Sequence, residues 1–431
     1  MSRRTRALMT LAILVGVPAG ADAQAVPEEA PAARLGAALR RTPSFRIDPF
    51  RHIYIPHWGF VLSVGARAEN NTLNLADIGA FMVLDERDEV LIGDIIDAFG
   101  LVPRGAGIGG QGESESGFYL GGPVGGRFRV GLSLQGRGYG AFRLDDDAVA
   151  LLRDGNAGRT EFSLGETRGS ALGTIEGGLH AIARFGPLGT IDGVHVTAGG
   201  GLRYVRPAVY ARGRSLIANG GRIAVSGDSV NANLDVETAV SQLDGPGDLF
   251  ESRGSGVAVD FLVRAEWPTN GIAVEAMVAN LGTVTVERVE RRRLTVDIAT
   301  TSLDTVVDVL DTLDLQIQDT AAVDVTLPRL VRVAASAWAN RILQLDLAAT
   351  MPITGEFASP LSVDVGTTWR LVNAIPLRLG LVLGGHQGVG YNAGFAVEGR
   401  SFLFRVAGES LGGLFREATG AGGRFELGVF F

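Results

Sequence analysis

An all-β fold, a transmembrane antiparallel β-barrel of about 14 strands, is what the sequence predicts, and three observations carry it. The first is residues 423–431. Phe425, Leu427, Val429 and Phe431 fall on one side of an extended strand, and Arg424, Glu426 and Gly428 on the other. Chain ends of soluble proteins usually fray and are polar. A barrel's closing strand must instead seal against the first strand and set an aromatic at the membrane rim. The second is the N-terminus. Arg3, Arg4 and Arg6 precede the apolar run Ala7–Val17, and Ala21-Asp22-Ala23 supplies a cleavage site, so residues 1–23 read as an export signal. That run is too short to span a bilayer as a helix. The third is composition. Hydrophobic residues make up 46% of the chain and Gly accounts for 61 positions, yet the apolar residues come in short alternating pieces. The chain has no Cys, so disulfides and a lipidated Cys are excluded.

The elements follow in order. Residues 24–58 are expected to form a periplasmic or plug segment, and residues 59–431 the barrel. Phe60–Arg67 and Phe128–Phe142 alternate as strands. Ala171–Phe185 and Val194–Tyr210 read as a long hairpin across Gly186-Pro-Leu-Gly189. Val257–Trp267 turns at Thr269-Asn270-Gly271 into Ile272–Val278. Strands are then expected at Arg329–Trp338, Arg341–Met351, Leu361–Trp369, Leu377–Leu383, Val389–Val397 and Phe402–Val406, before the closing strand. One more pair from the irregular 215–300 stretch brings the total to roughly 14. Helical spacing marks Ala76–Phe99, Asp145–Leu152 and Leu303–Leu313 as short helices in loops or a plug. Gly105–Gly112 lacks the Lys and the strand–helix frame of a phosphate loop and reads as tight turns.

Charge segregates between the two faces. The inward positions carry Glu176, Asp260, Arg264, Glu266, Glu275, Arg332, Asp346, Asp364, Arg370, Arg378, Glu398, Arg405, Arg424 and Glu426, with Arg184 among them. The opposing positions carry almost none. An Arg at the bilayer midplane of a barrel costs about 2–4 kcal/mol, so this separation places lipid outside. The near balance of signs predicts ion pairs across a narrow or plugged lumen. Arg264, Glu266, Arg370 and Arg378 are the lumen candidates, because they gather near strand ends.

Other chemistry is not expected. The five His residues show no metal spacing, and no G-x-S-x-G is present. His180 and His195 fall on adjacent expected strands, where they could approach one another, but the reading is no enzyme, no metal and no cofactor. A net charge of −8 argues against nucleic acid.

Three stretches carry a family likeness: Asn70-Asn-Thr-Leu-Asn-Leu-Ala-Asp-Ile78, Arg127–Leu134 running to the Asp145–Asn156 helix, and the block from Pro376 through Leu411-Gly-Gly-Leu414 to Phe431. On these the chain resembles an uncharacterised outer-membrane β-barrel family related to FadL-type long-chain fatty-acid transporters. The resemblance implies a barrel of about 14 strands with an N-terminal segment tucked inside, and it implies no substrate. The expected function is an integral outer-membrane barrel, porin-like, serving as a passage for hydrophobic or small solutes. The alternative is a closed structural barrel, an anchor or partner of surface or secretion machinery, binding through loops 211–253 and 287–327. A third class is an exported soluble β-protein. Expected partners are outer-membrane lipid, the barrel-assembly machinery through the C-terminal strand, and a hydrophobic small molecule.

Overall fold

The computed structural model describes residues 57–75, 107–154, 160–188, 193–216, 221–241, 254–300 and 316–431, apart from a few positions within them, together with residues 49, 50, 52, 99, 100, 102 and 105. The expected signal (1–23), most of the 24–58 segment, Ala76–Asp97 and Leu303–Leu313 lie outside the described residues.

Fourteen antiparallel strands close on themselves. In order around the wall they are β1 (Gly59–Asn70), β2 (Ile108–Val124), β3 (Phe128–Leu144), β5 (Arg168–Leu188), β6 (Val194–Ser215), β9 (Gly256–Trp267) and β10 (Ile272–Thr300). The circuit continues through β12 (Leu330–Trp338), β13 (Leu343–Pro352), β14 (Ser362–Val372), β15 (Ile375–Gly384), β16 (Val389–Glu398), β17 (Phe402–Leu411) and β18 (Gly420–Phe430). Closure is made by β18 on β1, with Phe430 opposite Gly59 and Gly420 opposite Glu69. The Phe431 N–H donates to the Trp58 carbonyl at 2.8 Å. With first and last strands paired, the barrel wall has no free edge to template another chain.

Four more strands raise one flank of the wall. These are β4 (Glu161–Ser163), β7 (Arg222–Ser226), β8 (Ser229–Ser241) and β11 (Gln316–Thr326). The 29-residue β10 is their backbone. It pairs first with β9 and then, on the same edge, with β8. Its other edge pairs with β12 and then β11. Thus β8 and β9 act as one interrupted strand, as do β11 and β12. The connections at residues 125–127, 268–271, 339–342, 373–374 and 399–401 are short and share one end of the barrel with Gly59 and Phe430. The opposite end carries the long connections.

Alternation sorts the side chains. Leu134, Leu179, Leu202, Phe261 and Leu379, each more than half exposed, point outward, while their sequence neighbours are buried inward. Phe425, Leu427, Val429 and Phe431 join this outer belt. The predicted helix after β3 is α1 (Asp146–Asp154), with acidic residues in its first turn and Arg153 in its last, the polarity its dipole favours. Val149 of α1 packs on Val102 and Ile108.

Three expectations need correction. Gly109, Gly110 and Gly112 belong to β2, opposite Arg143, Phe142 and Gly140, and only Gly105 is turn-like, with φ 74°. In the long hairpin Gly186, Pro187 and Leu188 belong to β5, which ends at Leu188, and β6 starts at Val194. Much of the two expected binding loops is strand: β8, the upper half of β10, and β11. Their side chains meet water or polar groups on the exposed face, so the apolar alternation that marks a wall strand is weak there.

Where β9 meets β10 there is no room for an added side chain at Gly282. A Cβ on Gly282 would lie 1.9 Å from the Val257 carbonyl oxygen, whereas one on Gly140 would have nothing within 4 Å. Gly282→Ala is expected to lower stability by about 1–3 kcal/mol through forced separation of the strands. Gly140→Ala is expected to stay within about 1 kcal/mol of the parent. Urea unfolding in micelles measures both, and equal midpoints for the two variants contradict this register.

Candidate functional site

The lumen is the candidate site, and regular register tells which side chains enter it. Reading from the short-turn end, β5 presents Ile182, His180, Glu176, Thr174, Leu172, Ser170 and Arg168 inward. Alongside, β6 presents Thr197, Arg203, Val205, Tyr210, Arg212 and Arg214. The inward face of β3 adds Ser133, Gln135, Arg137, Tyr139, Ala141 and Arg143. A polar tier, an apolar tier and an arginine tier therefore follow one another.

Arg203 centres the polar tier and is fully buried. Its Nε and Nη2 donate to the two Asp260 oxygens at 2.8 and 2.9 Å, and Nη1 pairs with Glu176. Nη2 also donates to Asn280 Oδ1 at 2.5 Å. Arg137 pairs with Glu176 at 3.3 Å and with Glu115 at 3.6 Å. Glu115 in turn accepts from Tyr119 at 2.9 Å and from Arg424 at 3.2 Å. Three arginines thus face three carboxylates, and a charge-assisted network runs from β18 through β2, β3, β5, β6 and β9 to β10.

Asn280 owes its place to a bulge. Between Val278 and Leu281 the β10 register against β9 shifts, and Asn280 takes φ 61°, a left-handed conformation that Asn tolerates better than most residues. Its backbone N–H donates to Asp260 at 2.8 Å, and its Nδ2 to the Pro328 carbonyl at 2.8 Å. Pro328 lies where β11 gives way to β12. Proline brings no backbone donor, and the Asn280 side chain supplies one hydrogen bond across that break.

A second set of pairs lines the other half. Arg378 bridges Asp346 and Asp364, both at 2.6 Å; Arg405 pairs with Glu426 at 2.5 Å and Arg370 with Glu398 at 3.4 Å. Arg67 joins Glu69 at 2.8 Å and Glu409 at 2.9 Å.

All four lumen candidates named from sequence are buried inward. The structure brings Arg264 and Glu266 together at 2.7 Å, with Arg184 also on Glu266. Arg370 and Arg378 have separate partners on the opposite flank, so the four do not form one cluster. The residues that sequence reasoning passed over are Arg203, Arg137, Glu115 and Asn280. The first two were detectable as charges at inward positions of apolar strands, Arg203 between Leu202 and Tyr204 above all.

The histidines are arranged otherwise than expected. His180 is opposite Gly201, six residues along β6 from His195, so the two do not approach. His180 Nε2 lies 3.1 Å from Ser133 Oγ. Asp260, on the neighbouring strand, gives its oxygens to Arg203 and to the Asn280 N–H.

Among the described residues, aromatic side chains from outside the wall strands also stand inside. Phe50 sits among Ile182, Leu262, Met277, Ala279 and Leu330, edge-on to His180, while His52 lies 4.1 Å from the Tyr119 ring. Phe357, from the β13–β14 connection, packs in the apolar tier with Tyr139, Leu172, Val205, Tyr210 and Val286. Beside it a cavity of about 50 Å³, bounded by Arg67, Glu69, Tyr139, Pro328 and Phe357, has room for a few waters. Among the described residues, wall side chains together with Phe50 and Phe357 pack two apolar clusters inside the lumen.

Fold and site together define the class: a closed 14-strand barrel whose described interior carries ion pairs and the inserted rings of Phe50 and Phe357. The sequence matches no family model and no curated protein. Solved structures similar along most of the chain include the Ralstonia pickettii toluene transporter TbuX, at 10% identity over 87% of this chain and 90% of that one, TM-score 0.43. A Pseudomonas aeruginosa FadL homologue is similar at 13% identity over 88% and 91%, TM-score 0.44. The P. putida toluene transporter TodX is similar at 8% identity over 90% and 93%, TM-score 0.44.

Removing Arg203 takes the counter-charge from Asp260 in a buried setting, while Glu176 keeps Arg137. Arg203→Met is expected to cost about 3–5 kcal/mol, and adding Asp260→Asn to recover much of it. Urea midpoints of the single and double variants in micelles check this; a single variant as stable as the parent contradicts the network.

Proposed function

We propose that this protein is an integral outer-membrane barrel that passes small apolar solutes, with Phe50 and Phe357 standing in the path as displaceable stoppers. The observation that carries the reading is the apolar tier. A barrel with a simply watered lumen gains nothing from lining it with Tyr139, Leu172, Val205 and Tyr210 and seating a phenyl ring among them. The apolar outer belt supports a lipid setting, since soluble proteins seldom leave so large a contiguous apolar surface uncovered. A second reading, a closed structural anchor, is favoured by the lumenal ion pairs and the small cavity beside Phe357.

Two measurements separate them. Naphthalene uptake, followed by its fluorescence in proteoliposomes, is expected to require the protein and to rise several-fold with Phe357→Ala, which empties the apolar tier. Uptake equal to that of protein-free vesicles, with both parent and variant, leaves the anchor. For the membrane setting, Leu379→Arg on the outer belt is expected to cost about 2–4 kcal/mol of folding stability in lipid bilayers. An unchanged unfolding midpoint, or release of the protein into the soluble fraction by carbonate without detergent, contradicts the membrane placement.

A further inference from the structure

Among the described residues, three buried tyrosines enter the lumen, from β2, β3 and β6, and two of their hydroxyls have acceptors. Tyr119 donates to Glu115 at 2.9 Å, and Tyr210 to Glu356 at 3.5 Å. Tyr139 differs: its hydroxyl is buried and has no hydrogen-bond partner among the described residues. Arg137 stands beside that oxygen, but a guanidinium has donors only and cannot take the phenolic proton. Glu176, also near, is engaged by Thr174, Arg203 and Arg137. Buried hydroxyls in proteins are paired in the large majority of cases, so this one calls for a reason.

Tyr139 lines the cavity of about 50 Å³ beside Phe357. Pro328, Leu330 and Phe357 give that cavity apolar lining, and Arg67, Glu69 and Asn280 give it polar lining. A cavity of roughly 150 Å³ admits benzene, so a ring-sized guest enters here only by taking the place of Phe357. That place is already shaped to a ring. The Phe357 phenyl packs among Leu172, Val205, Tyr210 and Val286, its centroid 6.1 Å from that of Tyr139 and tilted by 44°. A solute seated there lies against Tyr139 and meets its hydroxyl or strands it. The charges on the polar side already hold one another, Arg67 with Glu69 and with Glu409. A charged guest would lose its hydration beside settled pairs, a cost that a neutral guest escapes.

We propose that the seat of Phe357 is a binding site for neutral, ring-sized solutes carrying one oxygen acceptor, of the ketone, aldehyde or ester class, with Tyr139 Oη as the donor that recognises the oxygen. The site rests on Phe357 being displaceable, as in the passage reading above. A hydrocarbon of the same shape fits the seat but leaves the hydroxyl unpaired, so discrimination is by chemistry and not by size.

The test uses the whole chain in nonionic micelles, titrated calorimetrically with acetophenone and with α-methylstyrene, in which a CH2 group of similar shape replaces the carbonyl oxygen. Parent protein is expected to bind acetophenone. Phe357→Ala is expected to tighten both probes at least about threefold by removing the competing ring. Tyr139→Phe is expected to weaken acetophenone about three- to tenfold and to leave α-methylstyrene within about twofold. Tyr139→Phe removes a hydroxyl that holds no partner, so it keeps the compact, heat-modifiable gel band of the parent, and it decides alone if Phe357→Ala does not. Binding is read without transport: a barrel that takes up no naphthalene yet shows this discrimination loses the passage and keeps the site. Equal weakening of both probes by Tyr139→Phe, an unchanged acetophenone affinity, or no acetophenone binding by the parent overturns the site, whatever the uptake.

Discussion

The constraint on which everything else rests is that a strand left unpaired at a sheet edge exposes a row of N–H and C=O groups. A wall without such an edge has to bring its last strand back to its first, and in the lipid setting proposed above each unpaired group would cost several kcal/mol. The β18–β1 seam meets that demand over almost the full length of β1. Once the cylinder is shut, alternation decides the remainder. Every second residue is committed to an enclosed interior, and any charge placed there has to find its counter-charge across strands. The ion-pair network is thus a consequence of closure, and its local pattern follows from register.

Within that frame the Asn280 bulge has a disproportionate part. One irregular residue turns a side chain inward, contributes a donor to Asp260 and spans the interruption before β12. Backbone pairing, proline chemistry and lumenal electrostatics meet at a single amide. Buried networks of this kind do not by themselves indicate high stability, since desolvation offsets much of the attraction. What they impose is a heavy cost on any arrangement that separates the partners.

The wall was largely legible in the sequence because most of its strands carry large apolar residues at outward positions. From β12 to β18, Leu, Val and Phe recur at alternate positions, and the boundaries read from sequence lie close to those observed. β2 escaped because its upper half carries Gly112, Ser114 and Ser116 outward, side chains too small to advertise a face. The raised flank escaped for a different reason: Asn231, Asn233, Thr295 and Asp297 give its strands a polar face with no lipid pattern. In the lumen, the inward placement of Arg264, Glu266, Arg370 and Arg378 followed from parity alone. Which of them touch did not, since partners across strands depend on register and on a bulge that no local pattern announces. Phe357 as an interior side chain was equally hidden, because a loop's path inward leaves no periodic trace.

The unequal wall has a geometric outcome. With β10 running 29 residues and β16 only ten, the rim slopes, low on one side and palisaded on the other. For a solute of the kind proposed above, approach over the described strands at that end would be lopsided, open across the low lip and stopped by the tall bank.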